Sequence, residues 1–307
     1  MSIVVFGSLN MDLTTYLPRL PRPGETLFGR SFQTVPGGKG ANQAVAAARL
    51  GAPVRLIGRI GEDAFGRQHM AAMRQEGINI AGVLRDEALS TGLAVISVDD
   101  AGENCIIVIS GANMAIVASD VDRCVMALDE ARLLLLQLEI PIEADLTAAR
   151  AAHERGVTVV LDPSPVRNLP EELLRVVDVI TPNEVEAEAL LGWPITSEAD
   201  AGRALGQLRS KGVASVVLKM GGRGAFFETD AGKGYVPAFP VQAVDTVAAG
   251  DAFNGALAVA LLEGRPLPDA VRWGAAAGAL TVTRAGAMPS LPARAAVVRL
   301  LEESSLG

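Results

Sequence analysis

Short apolar runs alternate along this chain with longer stretches in which apolar residues recur every three or four positions. Residues 3–6, 54–60, 133–138, 158–162, 176–180 and 213–218 are dominated by Val, Ile and Leu, and they predict buried strands. Helices are predicted over 41–50, 65–76, 142–155, 184–191, 199–211, 252–262 and 267–283, the second of them closed by Gly77. Strands of this kind set between helices imply an α/β fold, with a parallel sheet covered on both faces.

Two stretches break the rhythm. Residues 12–33 carry Pro, Gly and Thr without a helical stripe, and 91–110 contain two alternating runs, 93–98 and 104–109, around a turn at 99–102. Both predict antiparallel strands outside the main sheet, a small flap over one end of a single large domain spanning 1–307.

Composition narrows the function classes. Twenty-seven basic against 35 acidic residues leave a formal charge of −8 with no basic block, which removes the footprint of non-specific nucleic-acid binding. The N-terminal run lacks the basic n-region and cleavage site of a signal peptide, and no apolar stretch approaches the ~18 residues of a membrane span. The expectation is a cytoplasmic protein with small partners, no membrane, and Cys105 and Cys124 reduced. His69 and His153 are too few and too far apart to suggest a zinc site.

Five segments carry candidate chemistry. In residues 244–251, small residues lead into a helix, where converging backbone N–H groups and the helix dipole would hold an anion. Asp251 there is either an acid that complements the dipole or a base that takes a proton from an attacking hydroxyl, and residue physics favours the first. In residues 37–43, glycines permit close backbone approach and Lys39 and Asn42 supply donors. It is not a Walker A loop: no Gly stands five residues before Gly38, and Gly40 replaces the Ser or Thr that would hold magnesium.

Asn10 and Asp12 follow the first predicted strand and Glu139 ends another, so all three gather at the carboxyl ends of the strands, where a parallel sheet binds ligands. Asn183 and Glu186 open a helix after a further strand, either as ligand-facing groups or as an N-cap with its capping-box partner. The glycine-rich turn of Lys219, Gly221, Gly222, Arg223 and Gly224 either surrounds phosphates with backbone amides or makes a plain hairpin into 225–228.

Taken in order, Asn10 and Asp12, PGET at 23–26, GGKGANQ at 37–43, GEDAFG at 61–66, TPNEVE at 181–186, DTVAAGDAF at 245–253 and GAMPS at 286–290 resemble the ribokinase-like carbohydrate kinases, nearly end to end. The resemblance implies a three-layer Rossmann-like fold with a β-sheet lid, and ATP-dependent phosphorylation of a sugar, ribose first. It makes Asp251 the base and the backbone of Ala248, Ala249 and Gly250 the anion hole. Asn10, Asp12, Gly38, Lys39, Asn42 and Glu139 would bind the sugar. Asn183, Lys219, Gly221, Gly222, Arg223, Gly224, Gly250 and Ala275 would line the ATP site, with Glu186 ordering Mg2+ through water. A monovalent cation, K+, would lie among the Asp245 side chain, the carbonyls of Val247, Thr281, Arg284 and Gly286, and the Ser290 hydroxyl.

An aspartate under a helix N-terminus is expected to be a weak base, because the dipole favours its ionised form. Met11 and Met220 interrupt the sugar and nucleotide segments and would alter the pocket walls, leaving deoxyribose, fructose or a related carbohydrate as alternative substrates. A sensor without catalysis is the alternative of another class, disfavoured by the intact Asp251. The lid, with a face and edges left over, is expected to join a homodimer.

Overall fold

A computed structural model describes residues 1–304. Its strands are β1 (Ser2–Phe6), β2 (Asn10–Tyr16), β3 (Ser31–Gly37), β4 (Val54–Gly61), β5 (Asn79–Asp86), β6 (Gly92–Val98), β7 (Asn104–Ile109), β8 (Ala131–Leu136), β9 (Thr158–Leu161), β10 (Val179–Ile180), β11 (Ser215–Lys219), β12 (Ala225–Thr229) and β13 (Gly232–Val236). Its helices are α1 (Lys39–Arg49), α2 (Ala64–Gln75), α3 (Ala118–Ala127), α4 (Ile142–Glu154), α5 (Glu171–Leu174), α6 (Glu184–Leu191), α7 (Glu198–Ser210), α8 (Ala249–Leu262), α9 (Leu267–Thr281) and α10 (Arg294–Glu303).

Nine strands form the main sheet in the order β13-β12-β11-β10-β9-β8-β1-β4-β5. Successive residues of a strand point to opposite faces, so β1 sends Ile3 and Val5 into one core and Val4 and Phe6 into the other. The first core is closed by α1, α8, α9 and α10, the second by α3, α4 and α7, which makes three layers. From β11 to β5 the pairing is parallel, as the continuous apolar runs require.

The sheet departs from the all-parallel expectation at one edge. β12 and β13 are antiparallel because their connections, only a few residues long, cannot carry a crossover. The strand predicted over 176–180 shrinks to Val179–Ile180, and the Val176 N–H bonds back to the Leu173 carbonyl in the turn that leaves α5. No helix among the described residues is long and apolar enough to cross a membrane.

The lid is a separate sheet in the order β3-β2-β6-β7. Each hairpin is antiparallel as expected, but β2 and β6 pair in parallel, because both hairpins leave the main sheet from the carboxyl ends of parallel strands. The edge strand β7 exposes Ile106, Ile107, Val108 and Ile109 at 45–59% each, and Phe32 on β3 is 70% exposed. Cys105 lies exposed on this strand, while Cys124 is buried on α3, and both are free thiols.

Candidate active site

The chain runs from β1 to β4 and β5 on one side of the sheet and returns to β8, β9, β10 and β11 on the other, so the order reverses between β1 and β8. A crevice opens beyond the carboxyl ends of two strands that diverge in this way. Ser8 and Asn10 follow β1 there, and Glu139 lies three residues beyond β8. The Ser8 hydroxyl donates to Glu139 Oε2, which also accepts the Lys39 N–H at 3.2 Å.

The glycines at 37–40 make this junction possible. A Cβ at Gly37 would fall 2.4 Å from Asp12 Oδ2, and one at Gly38, whose φ is +89°, would fall 2.6 Å from the Asn10 nitrogen. The start of α1 therefore presses directly on the β1–β2 connection, and no side chain can intervene. His69, buried on α2, places Nε2 3.0 Å from the Gly37 carbonyl oxygen, a packing role, while His153 is exposed on α4.

Asp251 is the fourth residue of the turn that starts α8, after Ala248, Ala249 and Gly250, and it is 5% exposed. It makes no cap. Asn42 Nδ2 donates to its Oδ2 at 2.9 Å, and Gln43 Nε2 donates to its Oδ1 at 3.2 Å. The two helices can bring these groups together because a Cβ at Gly255 would already lie 2.5 Å from that of Ala46. Small residues on both α1 and α8 let their backbones approach, which sequence pattern alone does not reveal.

Ala248 has φ +61°, the left-handed region that residues with a Cβ avoid at a cost of roughly 1–2 kcal/mol. This backbone turns the following amides toward the crevice. Among the described residues no protein acceptor takes the N–H groups of Gly250 and Asp251. Lys219, at the end of β11, places Nζ 3.5 Å from where a Gly250 Cβ would be, so a cation stands beside the open helix terminus. Together these groups can hold a multiply charged phosphate.

Electrostatics reverse one expectation. Burial lifts the Asp251 pKa to about 6; Lys39, Asn42 and Gln43 oppose this and the Asp162 charge adds to it. Desolvation is the largest cause, and Asp251 is a stronger base than its place on the helix implied. Asp12 is raised further, to about 7, by burial and then by the charges of Glu139 and Asp251. Burial works against the Lys39 cation, but Asp251, Asp162, Glu139 and Glu186 outweigh it and raise the Lys39 pKa.

The nucleotide candidates are spread more widely. Asn183 and Glu186 form the reciprocal capping box, Asn183 Oδ1 accepting the Glu186 N–H at 2.8 Å and Glu186 Oε2 the Asn183 N–H at 2.7 Å. That leaves Glu186 Oε1 uncommitted, and its charge is felt at Lys39. Gly224, at φ +82°, is required because a Cβ would strike the Val236 carbonyl oxygen at 2.3 Å. Gly221 and Gly222 are exposed in the turn that precedes it. Arg223 pairs with Glu184 and donates to the Thr196 carbonyl at 3.0 Å, which ties the turn to α6. Ala275 lies half-buried on α9. Met11 and Met220 are at most 1% exposed, so any influence they have on the pocket walls is exerted from beneath the surface.

Around the cation candidate, Asp245 Oδ1 accepts the Val247 N–H at 3.0 Å and Oδ2 accepts the Gly286 N–H at 2.8 Å, joining the approach to α8 to the turn after α9. Ser290 is buried and donates to the Ala287 carbonyl at 2.7 Å, which leaves its lone pairs free. Thr281 is buried, while Arg284 is exposed. One carboxylate, one hydroxyl and main-chain carbonyls are hard oxygen donors, a set that suits an alkali cation.

Two residues of the site, Asn113 and Asp162, escape sequence reasoning, and Gln43, the last residue of the GGKGANQ motif, has no role that sequence assigns. Asn113 donates from Nδ2 to Asn10 Oδ1 at 2.7 Å and accepts the Leu9 N–H at 2.9 Å, fixing the Asn10 side chain from 103 residues away. Asp162 and Gln43 join Asp251 in a buried network: Gln43 Nε2 donates to Asp162 Oδ2 at 3.0 Å, and Lys219 Nζ to Asp162 Oδ1 at 3.0 Å. The one available signal was position, since Asp162 directly follows a buried strand.

Known proteins resemble this chain over nearly its whole length. Residues 1–294 match the pfkB family of carbohydrate kinases. A ribokinase of Haemophilus influenzae is 41% identical over 303 residues, covering 99% of each chain. A deoxyribokinase of Salmonella typhimurium is 36% identical, over 95% of this chain and 96% of its own. The structure of Arabidopsis thaliana ribokinase complexed with ribose and ATP superposes with a TM-score of 0.91 at 36% identity, covering 98% of both chains. Family match and full-length relatives thus place this chain in the pfkB family of carbohydrate kinases, enzymes that transfer phosphate to a sugar hydroxyl.

Proposed function

We propose that the protein phosphorylates D-ribose at its primary O5 with ATP, giving ribose 5-phosphate and ADP. The observation that carries the reading is Asp251: a carboxylate with a pKa near 6, buried between a set of sugar-binding groups and an open helix N-terminus. The sugar's hydroxyls lie on Asn10, Asp12, Gly38, Lys39, Asn42 and Glu139. O5 then points at Asp251, which takes its proton as oxygen bonds to the γ-phosphorus and the bond to the ADP oxygen breaks. The charge that spreads over the phosphoryl oxygens meets the Ala248–Gly250 backbone and Lys219.

ATP lies along Asn183, the Lys219–Gly224 turn and Ala275. Glu186 is the group that would hold Mg2+ through water, and that ion neutralises phosphate charge when bound. K+ would lie at Asp245, Val247, Thr281, Arg284, Gly286 and Ser290, where its charge steadies the loop that enters α8. The working compartment in this reading is the cytoplasm, where ATP is made available. The exposed apolar strand β7, Ile106 to Ile109, fits a second copy of the chain, giving a dimer through the lids.

A panel of ribose, deoxyribose, fructose and nucleosides, followed by ADP release, tests the substrate. Ribose should give the highest kcat/KM. A higher value for deoxyribose would move the assignment to that sugar, the alternative that a deoxyribokinase relative keeps open.

A further inference from the structure

Asp162 is 2% exposed, yet it carries a charge into the interior. Burying an ion costs several kcal/mol unless its partners are well placed, and an apolar pair of the same volume is often as stable. Such a group needs a reason. Its two oxygens go to different parts of the site, Oδ2 to Gln43 and Oδ1 to Lys219.

The Gln43 side chain is itself pinned. Gln137 Nε2 donates to Gln43 Oε1 at 2.7 Å, so the Gln43 amide nitrogen must face the two carboxylates, Asp162 and Asp251. Gln43 and Gln137 are both fully buried, and neither amide can turn without losing its bonds. On the other side, Lys219 Nζ is held where the α8 amides open.

We propose that Asp162 is a positioning residue for phosphoryl transfer, holding Gln43 against the base with one oxygen and Lys219 against the phosphate-binding helix terminus with the other. The inference rests on Asp251 as the base. One carboxylate thereby couples the sugar side of the reaction to the ATP side, and it keeps Lys219 from folding back on Asp251. Its charge also bears on the base. The charged groups around Asp251 are Lys39 from α1, Asp12 from β2, Glu139 beyond β8, Asp162 beyond β9, Glu186 from α6 and Lys219 at the end of β11. Asp162 pushes the Asp251 pKa up, and Lys219 is paired with Asp162 at 3.0 Å.

The test compares Asp162→Asn, Lys219→Met, the double variant and Asp251→Asn in the full-length protein, with ribose and ATP varied separately across pH. For D162N, kcat should fall by about tenfold or more, the scale of a displaced reacting group, while KM for ribose stays within about threefold. The acid limb of its kcat/KM should move to lower pH. For K219M the limb should move to higher pH and KM for ATP should rise, and the double variant should lose less than the two single losses combined. A purely structural Asp162 would leave the limb of D162N in place.

Folded D162N with wild-type kcat and an unmoved limb overturns the proposal, as does strict additivity in the double variant. If D162N does not fold, K219M decides: a raised KM for ATP with a fall in kcat supports a Lys219 held for the phosphate, and wild-type values of both remove the proposal. Near-normal turnover in D251N would show instead that the base assignment is wrong, and the proposal would fall with it.

Discussion

Replacing Asp251 by Asn separates the chemical from the structural role of this residue, because the change keeps size and removes only the charge and one acceptor. Burial raises the Asp251 pKa from 3.8 to about 6 in the folded protein. A raised folded pKa means stability that is present below the unfolded value and lost as pH rises through 6. The wild type therefore carries a penalty of about 3 kcal/mol at pH 8 and about 1.5 kcal/mol at pH 5, which Asn does not bear. Against this, the Asn amide must face one of the two donors, Asn42 Nδ2 or Gln43 Nε2, leaving a buried donor unpaired at a cost of about 1–3 kcal/mol at either pH. The unpaired-donor cost cancels between the two conditions. Relative to wild type, D251N should gain about 1.5 kcal/mol on going from pH 5 to pH 8, read by urea unfolding of the apo protein. Turnover should fall by about 10²-fold or more, with ADP binding preserved. Folded D251N with near-normal kcat would refute the base assignment, and equal stability differences at both pH values would refute the raised pKa.

Three further outcomes follow from the site. Because Asp251 must be ionised to take a proton, kcat/KM for ribose should fall as pH drops through the 6–7 window set by Asp251 and Asp12; a limb near pH 4 would contradict their burial. Potassium should raise turnover over sodium or a bulky organic cation at matched ionic strength, and Asp245→Ala should abolish the difference; equal rates in all salts with the unmodified protein would remove the cation site. Ile107→Lys, on the exposed edge strand of the lid, should convert a dimer to a monomer in sedimentation with its fold intact; a monomeric wild type at micromolar concentration would remove the dimer itself.

The order of elements, the two sheets and the carboxyl-end location of the site were legible in sequence because each rests on a local signal: apolar runs, alternation, and Gly or Asx residues at strand ends. The edge strand β5 and helices α3 and α10 were not, since NIAGVLRD and similar segments mix exposed and buried positions without a clean period. Within the site, sequence motifs located Asp251, Asn42, Lys39 and the glycines. Only the tertiary structure decided that Asp251 is bonded from α1 rather than acting as a cap, that its pKa lies near 6, and that Asp162, Gln43, Asn113 and Lys219 hold it and its neighbours in place. The physical reason is range. Periodicity and turn chemistry act over a few residues, whereas burial and hydrogen bonding between positions 42 and 251, or 10 and 113, exist only after the chain has folded and the surrounding water has been removed.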